Sequence, residues 1–199
     1  TSSQEVEEVV RQVCLHAQSQ SKESLGVVAL TVKHARRISA AIMSEVARNP
    51  QLDEFLGSNQ EEPFVIVDAA GAAGLRRDHV ILSVGFAKTP HGQVLHDFGV
   101  ISAADGTALL VDAVSMVRKE LSLVSSMAPE AIDPQRLHHP GSQMLYDLLQ
   151  AARAEAQTVG PVEAAQAMGE EESQPDRLLL DLAERLYSVG LTVIPNLGP

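Results

Sequence analysis

The amino-acid sequence predicts an α/β fold, a largely parallel sheet with helices on both faces. Short continuous apolar runs at residues 25–30, 64–67, 80–84 and 121–124 have the pattern of strands buried on both sides. Segments with helical periodicity alternate with them. The 199 residues are 45 % hydrophobic but only 3 % aromatic, with no Trp, so one main core must be built from Val, Leu, Ile and Ala.

Apolar Val6, Val9, Val10, Val13, Cys14 and Ala17 recur at helical spacing over residues 4–20, with Ser3 as a cap and Glu5 and Glu7 in the first turn. The run 25–30 is the first strand, and a helix over 34–48 follows. Pro50 restarts a helix that carries Leu52, Phe55 and Leu56 to a stop at Gly57. The runs 64–67 and 80–84 are the next two strands, separated by the small-residue turn Asp68-Ala69-Ala70-Gly71-Ala72-Ala73-Gly74. Residues 86–104 lack periodicity and read as an excursion between core elements. Asp105 opens a helix through Leu109, Leu110, Ala113, Val114 and Val117, and 121–124 supplies the fourth strand. Leu145, Leu148, Leu149 and Ala152 mark one more helical face. The composition then shifts to Ala, Glu and Gln, which divides the chain into a main domain over 1–153, a linker over 154–175 and the start of a second α/β unit over 176–199.

The formal net charge of −11 argues against a surface that holds a nucleic-acid backbone unaided. Cys14 is the only cysteine, which excludes an internal disulfide, a four-cysteine zinc site and a paired-thiol motif, and it reads as a small buried apolar group. No apolar run approaches the roughly 18 residues of a membrane span and no signal-peptide pattern opens the sequence, so the expected location is cytoplasmic, with no membrane partner. Both ends read as cut from a longer polypeptide.

Three segments carry a resemblance. The first is Ser24-Leu25-Gly26-Val27-Val28-Ala29-Leu30-Thr31 with the helix after it. The second is Gly74-Leu75-Arg76-Arg77-Asp78-His79-Val80-Ile81-Leu82-Ser83, and the third is Leu110-Val111-Asp112-Ala113-Val114-Ser115-Met116-Val117-Arg118-Lys119-Glu120-Leu121. In this order they resemble the second RecA-like domain of superfamily 1 DNA/RNA helicases, especially a bacterial group of long helicase-like proteins with a nuclease-like tail. The resemblance implies a RecA-like fold of the P-loop NTPase type. It also implies nucleotide contacts at Gly74, Asp78, Ser115 and Arg118. Three positions depart from the family pattern: Ala73 where a Gln would stand, Arg76 for a Glu, and Met116 for the arginine finger. A methyl group makes none of an amide's hydrogen bonds, and a thioether offers no positive charge to a transferring phosphate.

The tail, with Leu178, Leu179, Leu182 and Leu186 before Leu191-Thr192-Val193, resembles the first helix and strand of a restriction-endonuclease-like fold. That likeness makes Glu184 the helix acid of a nuclease site, whereas by itself it reads as a solvent-facing charge. Arg118 likewise has an ordinary reading, as a cation at the carboxyl end of its helix. His138 and His139 beside Asp133, or His91 and His96 near Asp97, lack the spacing of a metal site, so no metal is expected. The loop 68–74 has neither the glycine spacing nor the lysine of a phosphate-binding loop, and no Gly-x-Ser-x-Gly elbow is present.

The expected function is that of a C-terminal helicase-type domain in a larger ATP-dependent DNA/RNA-processing protein. The expected partners are an upstream RecA-like domain in the same polypeptide and, in the full-length protein, DNA or RNA. ATP and magnesium enter only in a complete two-domain motor, and the isolated chain is expected to have no catalytic residue and no cofactor. The alternative is an interaction or scaffold module that retains the fold without the motor.

Overall fold

A computed structural model describes residues 3–57, 61–87 and 96–158. The linker beyond 158, the second α/β unit, Glu184 and His91 lie outside the described residues.

Among the described residues the architecture is α/β, with four strands, β1 (Leu25–Ala29), β2 (Val65–Asp68), β3 (Arg77–Ser83) and β4 (Val117–Val124), all paired in parallel in the order β2-β1-β3-β4. This is the parallel sheet that the apolar runs predict, and it is consistent with a RecA-like arrangement. Among the described residues five helices cover it: α1 (Ser3–Ser19), α2 (Val32–Val46), α3 (Pro50–Gly57), α4 (Gly106–Ser115) and α5 (Pro140–Thr158).

The period-two alternation of the strands builds two cores. Leu25, Val27, Ala29, Ile81 and Val124 point to one face, where they meet Val6, Val9 and Val13 of α1, Ile38 and Ile42 of α2, and Leu52 and Phe55 of α3. Val28, Val80, Leu82, Leu121 and Leu123 point to the other, against Leu110 and Ala113 of α4 and Leu145, Leu149 and Ala152 of α5. Cys14 is only partly buried, against the first of these cores.

Several expectations need local correction. Ser3 stands inside the first turn of α1 rather than before it, and its hydroxyl accepts a bond from Arg37. Asp105 precedes α4 without donating or accepting a capping bond through its side chain. The turn after β2 is a short 3-10 helix, Ala69–Ala72, capped by Asp68, whose carboxylate accepts the Gly71 N–H at 3.1 Å. α5 continues to Thr158, past the change in composition at residue 154.

The largest correction concerns Val117 and Arg118. The helix was expected to run through Val117 with Arg118 at its end and the strand to start near residue 120, but α4 ends at Ser115 and β4 begins at Val117. The charged run Arg118-Lys119-Glu120 hides the strand because β4 is the outer strand of the described sheet, where polar side chains meet solvent. Arg118 is therefore a strand residue, not a helix-end cation. Among the described residues, no helix is long and apolar enough to cross a membrane.

Candidate functional site

The residues carried by the resemblance lie at the amino ends of the strands, and β3 and β4 bring two of them together. Arg77 pairs with Val117 and His79 with Glu120, with a register shift between the two pairs. The shift leaves two residues of β4, Arg118 and Lys119, opposite the single residue Asp78, the arrangement of a β-bulge. Both cations reach the same carboxylate: Arg118 Nε lies 3.2 Å from Asp78 Oδ1 and Lys119 Nζ 3.8 Å from it.

A network grows from this pair. Arg118 donates to both carboxylate oxygens of Glu62, through Nη1 to Oε1 at 2.7 Å and through Nη2 to Oε2, a bidentate pairing. The Ser24 hydroxyl, just before β1, donates to Glu62 at 2.8 Å and accepts the Asp78 N–H at 2.9 Å. Lys119 also donates to Glu23 at 2.8 Å, and Glu23 in turn meets His79 Nε2. His79 Nδ1 is 3.4 Å from Glu120, so the imidazole lies between two carboxylates.

The electrostatics follow from these contacts. The Arg118 hydrogen bond, then that of Ser24, holds the Glu62 carboxyl below its usual range. Lys119 and His79 pull Glu23 down to about 2. Glu120, against the cost of burial and with help from Glu23, raises His79. Asp78 is lowered although burial opposes it, because the Ser24 N–H and Arg118 outweigh that cost. Four carboxylates thus face Arg118, Lys119 and His79, leaving no excess positive charge.

Ser21, Lys22, Ser24, Glu61, Glu62, Asp78 and Arg118 line an open depression of about 650 Å³. Its rim is charged, and a ligand phosphate approaching Arg118 would have to displace the Glu62 carboxylate.

The remaining resemblance residues are placed differently. Gly74 has φ +74°, and a Cβ there would meet nothing within 4 Å, so backbone conformation alone accounts for glycine. Ala73, Arg76 and Ser115 are exposed, and Arg76 donates to the Leu75 carbonyl at 2.8 Å. Among the described residues, no hydrogen bond or ion pair joins Gly74 or Ser115 to the Asp78–Arg118 pair. Met116 is not presented to a cleft: it is fully buried, and its Cε lies 2.2 Å from where a Cβ on Gly26 would stand.

His138, His139 and Asp133 are exposed, and His96 Nε2 accepts the Asp133 N–H at 3.1 Å. Among the described residues, no group of three or more His, Cys, Asp or Glu side chains could hold a metal ion.

Sequence reasoning missed Glu62 and Glu23, and gave no role to Ser24, Lys119 and Glu120 although they stand in the quoted segments. Their common signal is position, each lying beside the amino end of a strand, but only the sheet order makes them neighbours. Compared with known proteins, the sequence matches no protein-family model and no curated protein.

Proposed function

We propose that the chain is the C-terminal helicase-type domain of a larger ATP-dependent DNA/RNA-processing protein, contributing half of a nucleotide cleft whose other half is an upstream RecA-like domain. The observation that carries this reading is the meeting of Asp78 and Arg118, from two separate motif segments, at 3.2 Å. ATP and magnesium would be held only between the two domains, and nucleic acid would run across the assembled motor rather than this acidic chain alone. The nucleotide contacts are impaired at Ala73, Arg76 and Met116, so the isolated chain should turn over no ATP. An arginine finger is worth about 10³–10⁵ in rate, which Met116 cannot supply.

A second reading, an interaction or scaffold module, is favoured by one observation. Arg118 is neutralised by Glu62 and Asp78, while Met116 is committed to the core.

Steady-state phosphate release with single-stranded DNA and RNA tests both readings, on the chain alone and on a polypeptide that joins it to its upstream domain. Turnover by the longer protein that falls on Arg118→Ala supports the motor. A longer protein that binds no nucleotide supports the scaffold. Turnover by the chain alone, surviving repurification, would overturn the helicase reading.

A further inference from the structure

Open parallel sheets bind ligands outside the carboxyl ends of their strands, where successive connections leave toward opposite faces. Here that point lies between β1 and β3. β1 leads into α2 on one face, and β3 leads toward α4 on the other. The crevice is filled by the chain itself.

Glu5, from the first turn of α1, is fully buried there. Its Oε2 accepts the Gly85 N–H at 2.7 Å and its Oε1 the Ser126 N–H at 2.5 Å, two donors that lie just beyond β3 and β4. His34 Nε2 lies 3.5 Å from Glu5 Oε2 and 2.8 Å from Ser83 Oγ, and His34 and Ser83 have no exposed surface either. His34 Nδ1 is buried without a hydrogen-bond partner. Gly85 has φ +73°, and a Cβ there would stand 2.6 Å from the imidazole.

A buried carboxylate is a costly way to satisfy two backbone N–H groups, since removing a charge from water costs several kcal/mol. Burial accordingly pushes Glu5 above its ordinary range, against the lowering effect of the two N–H bonds. A carbonyl oxygen or a water would satisfy the same donors without that cost. The donor set, two converging N–H groups with a hydroxyl and an imidazole beside them, suits a carboxylate or phosphate oxygen.

The first turn of α1 is anchored chiefly through Glu5 and Val6. Ser3, Gln4 and Glu7 are exposed, and Glu5 and Val6 are its buried residues. Val9, Val13 and Ala17 would keep the rest of the helix on the sheet if that turn unwound.

We propose that the Gly85 and Ser126 N–H groups, with His34 and Ser83, form an anion site for a carboxylate or phosphate group, which Glu5 occupies as an internal ligand and which opens when the first turn of α1 unwinds. The site lies at the opposite end of the sheet from Arg118, so it does not depend on the helicase reading.

The test uses the whole chain with Glu5→Ala. Sodium acetate and sodium phosphate are titrated separately against the Gly85 and Ser126 amide resonances, with chloride at matched ionic strength as control. Saturable shifts of both amides, at least about tenfold tighter than in the unaltered protein, are expected. A response to acetate alone assigns a carboxylate site, and one to phosphate alone assigns a phosphate site. A folded variant whose two amides ignore both anions would overturn the proposal. Native-state hydrogen exchange on the unaltered protein is the second measurement, and it decides if the variant does not fold. The Gly85 and Ser126 amides should exchange through a local opening that leaves Val27 and Leu82 protected. Exchange of all four only through global unfolding would show that the plug does not leave.

Discussion

His34 should make the stability of this protein fall steeply below neutral pH. Burial, with a smaller effect from Arg37, lowers its pKa from 6.5 to about 4. Between these values the unfolded chain binds a proton that the folded chain refuses, so stability rises with pH. The contribution is fully present above pH 6.5 and is lost progressively as pH falls toward 4. One pKa unit corresponds to about 1.4 kcal/mol, which makes the loss about 2 kcal/mol by pH 5 and about 3 kcal/mol by pH 4. His34→Gln removes the titration while keeping a polar side chain beside Ser83. Urea denaturation of both proteins at pH 7, 5.5 and 4 measures the effect, read as the difference in unfolding free energy between them. Glu5 works in the opposite sense: its raised folded pKa favours low pH, with that stability lost as pH rises from 4.5 through the folded value. Glu5 is present in both proteins, so its own titration largely drops out of the difference. A difference that stays constant from pH 7 to 4 would mean that His34 is not buried as a neutral imidazole, and the cluster at the carboxyl ends of the strands would have to be redrawn.

Met116→Arg should destabilise the chain by about 3–5 kcal/mol in urea denaturation, because it places an unpaired charge under Gly26, whereas Met116→Leu should cost less than about 1.5 kcal/mol. Gly85→Ala should cost more than about 1 kcal/mol in the same assay, since the new Cβ combines a positive φ with the imidazole 2.6 Å away. Glu62→Gln should change stability by less than about 1 kcal/mol, because Arg118 and Glu62 are partly exposed, and repeating the melt at about 1 M salt should shrink the difference further.

The elements legible in the sequence are those whose surroundings are uniform. β1 and β3 run through the middle of the sheet, so both faces demand apolar residues and their runs announce them. The helices α1, α2 and α3 each bury one stripe, which sets their spacing. β4 was only half legible. Leu121 to Val124 are buried, but Arg118 and Lys119 face solvent and counter-charges at the outer edge, and a charged run of that kind looks the same at the end of a helix. Asp78 and Arg118 stand in two of the quoted segments, but that they meet depends on register and was not legible. No local pattern brings Glu62 to Arg118, or Glu5 to Gly85 across eighty positions; the parallel pairing does. Met116 marks the opposite lesson. The methionine was visible, but its place, a side chain filling the space above a glycine of β1, was not.

The bulged, charged start of β4 also bears on how copies of this chain avoid one another. An outer strand offers its free backbone donors and acceptors to any extended segment that drifts against it, and an apolar one would seed aggregates. Arg118 and Lys119 stand side by side at the bulge, and Glu120 follows them. A second strand laid along this stretch would meet a register shift and charged side chains already committed to Glu62, Asp78 and Glu23. The charged start of β4 therefore acts as a guard on the margin of the described sheet.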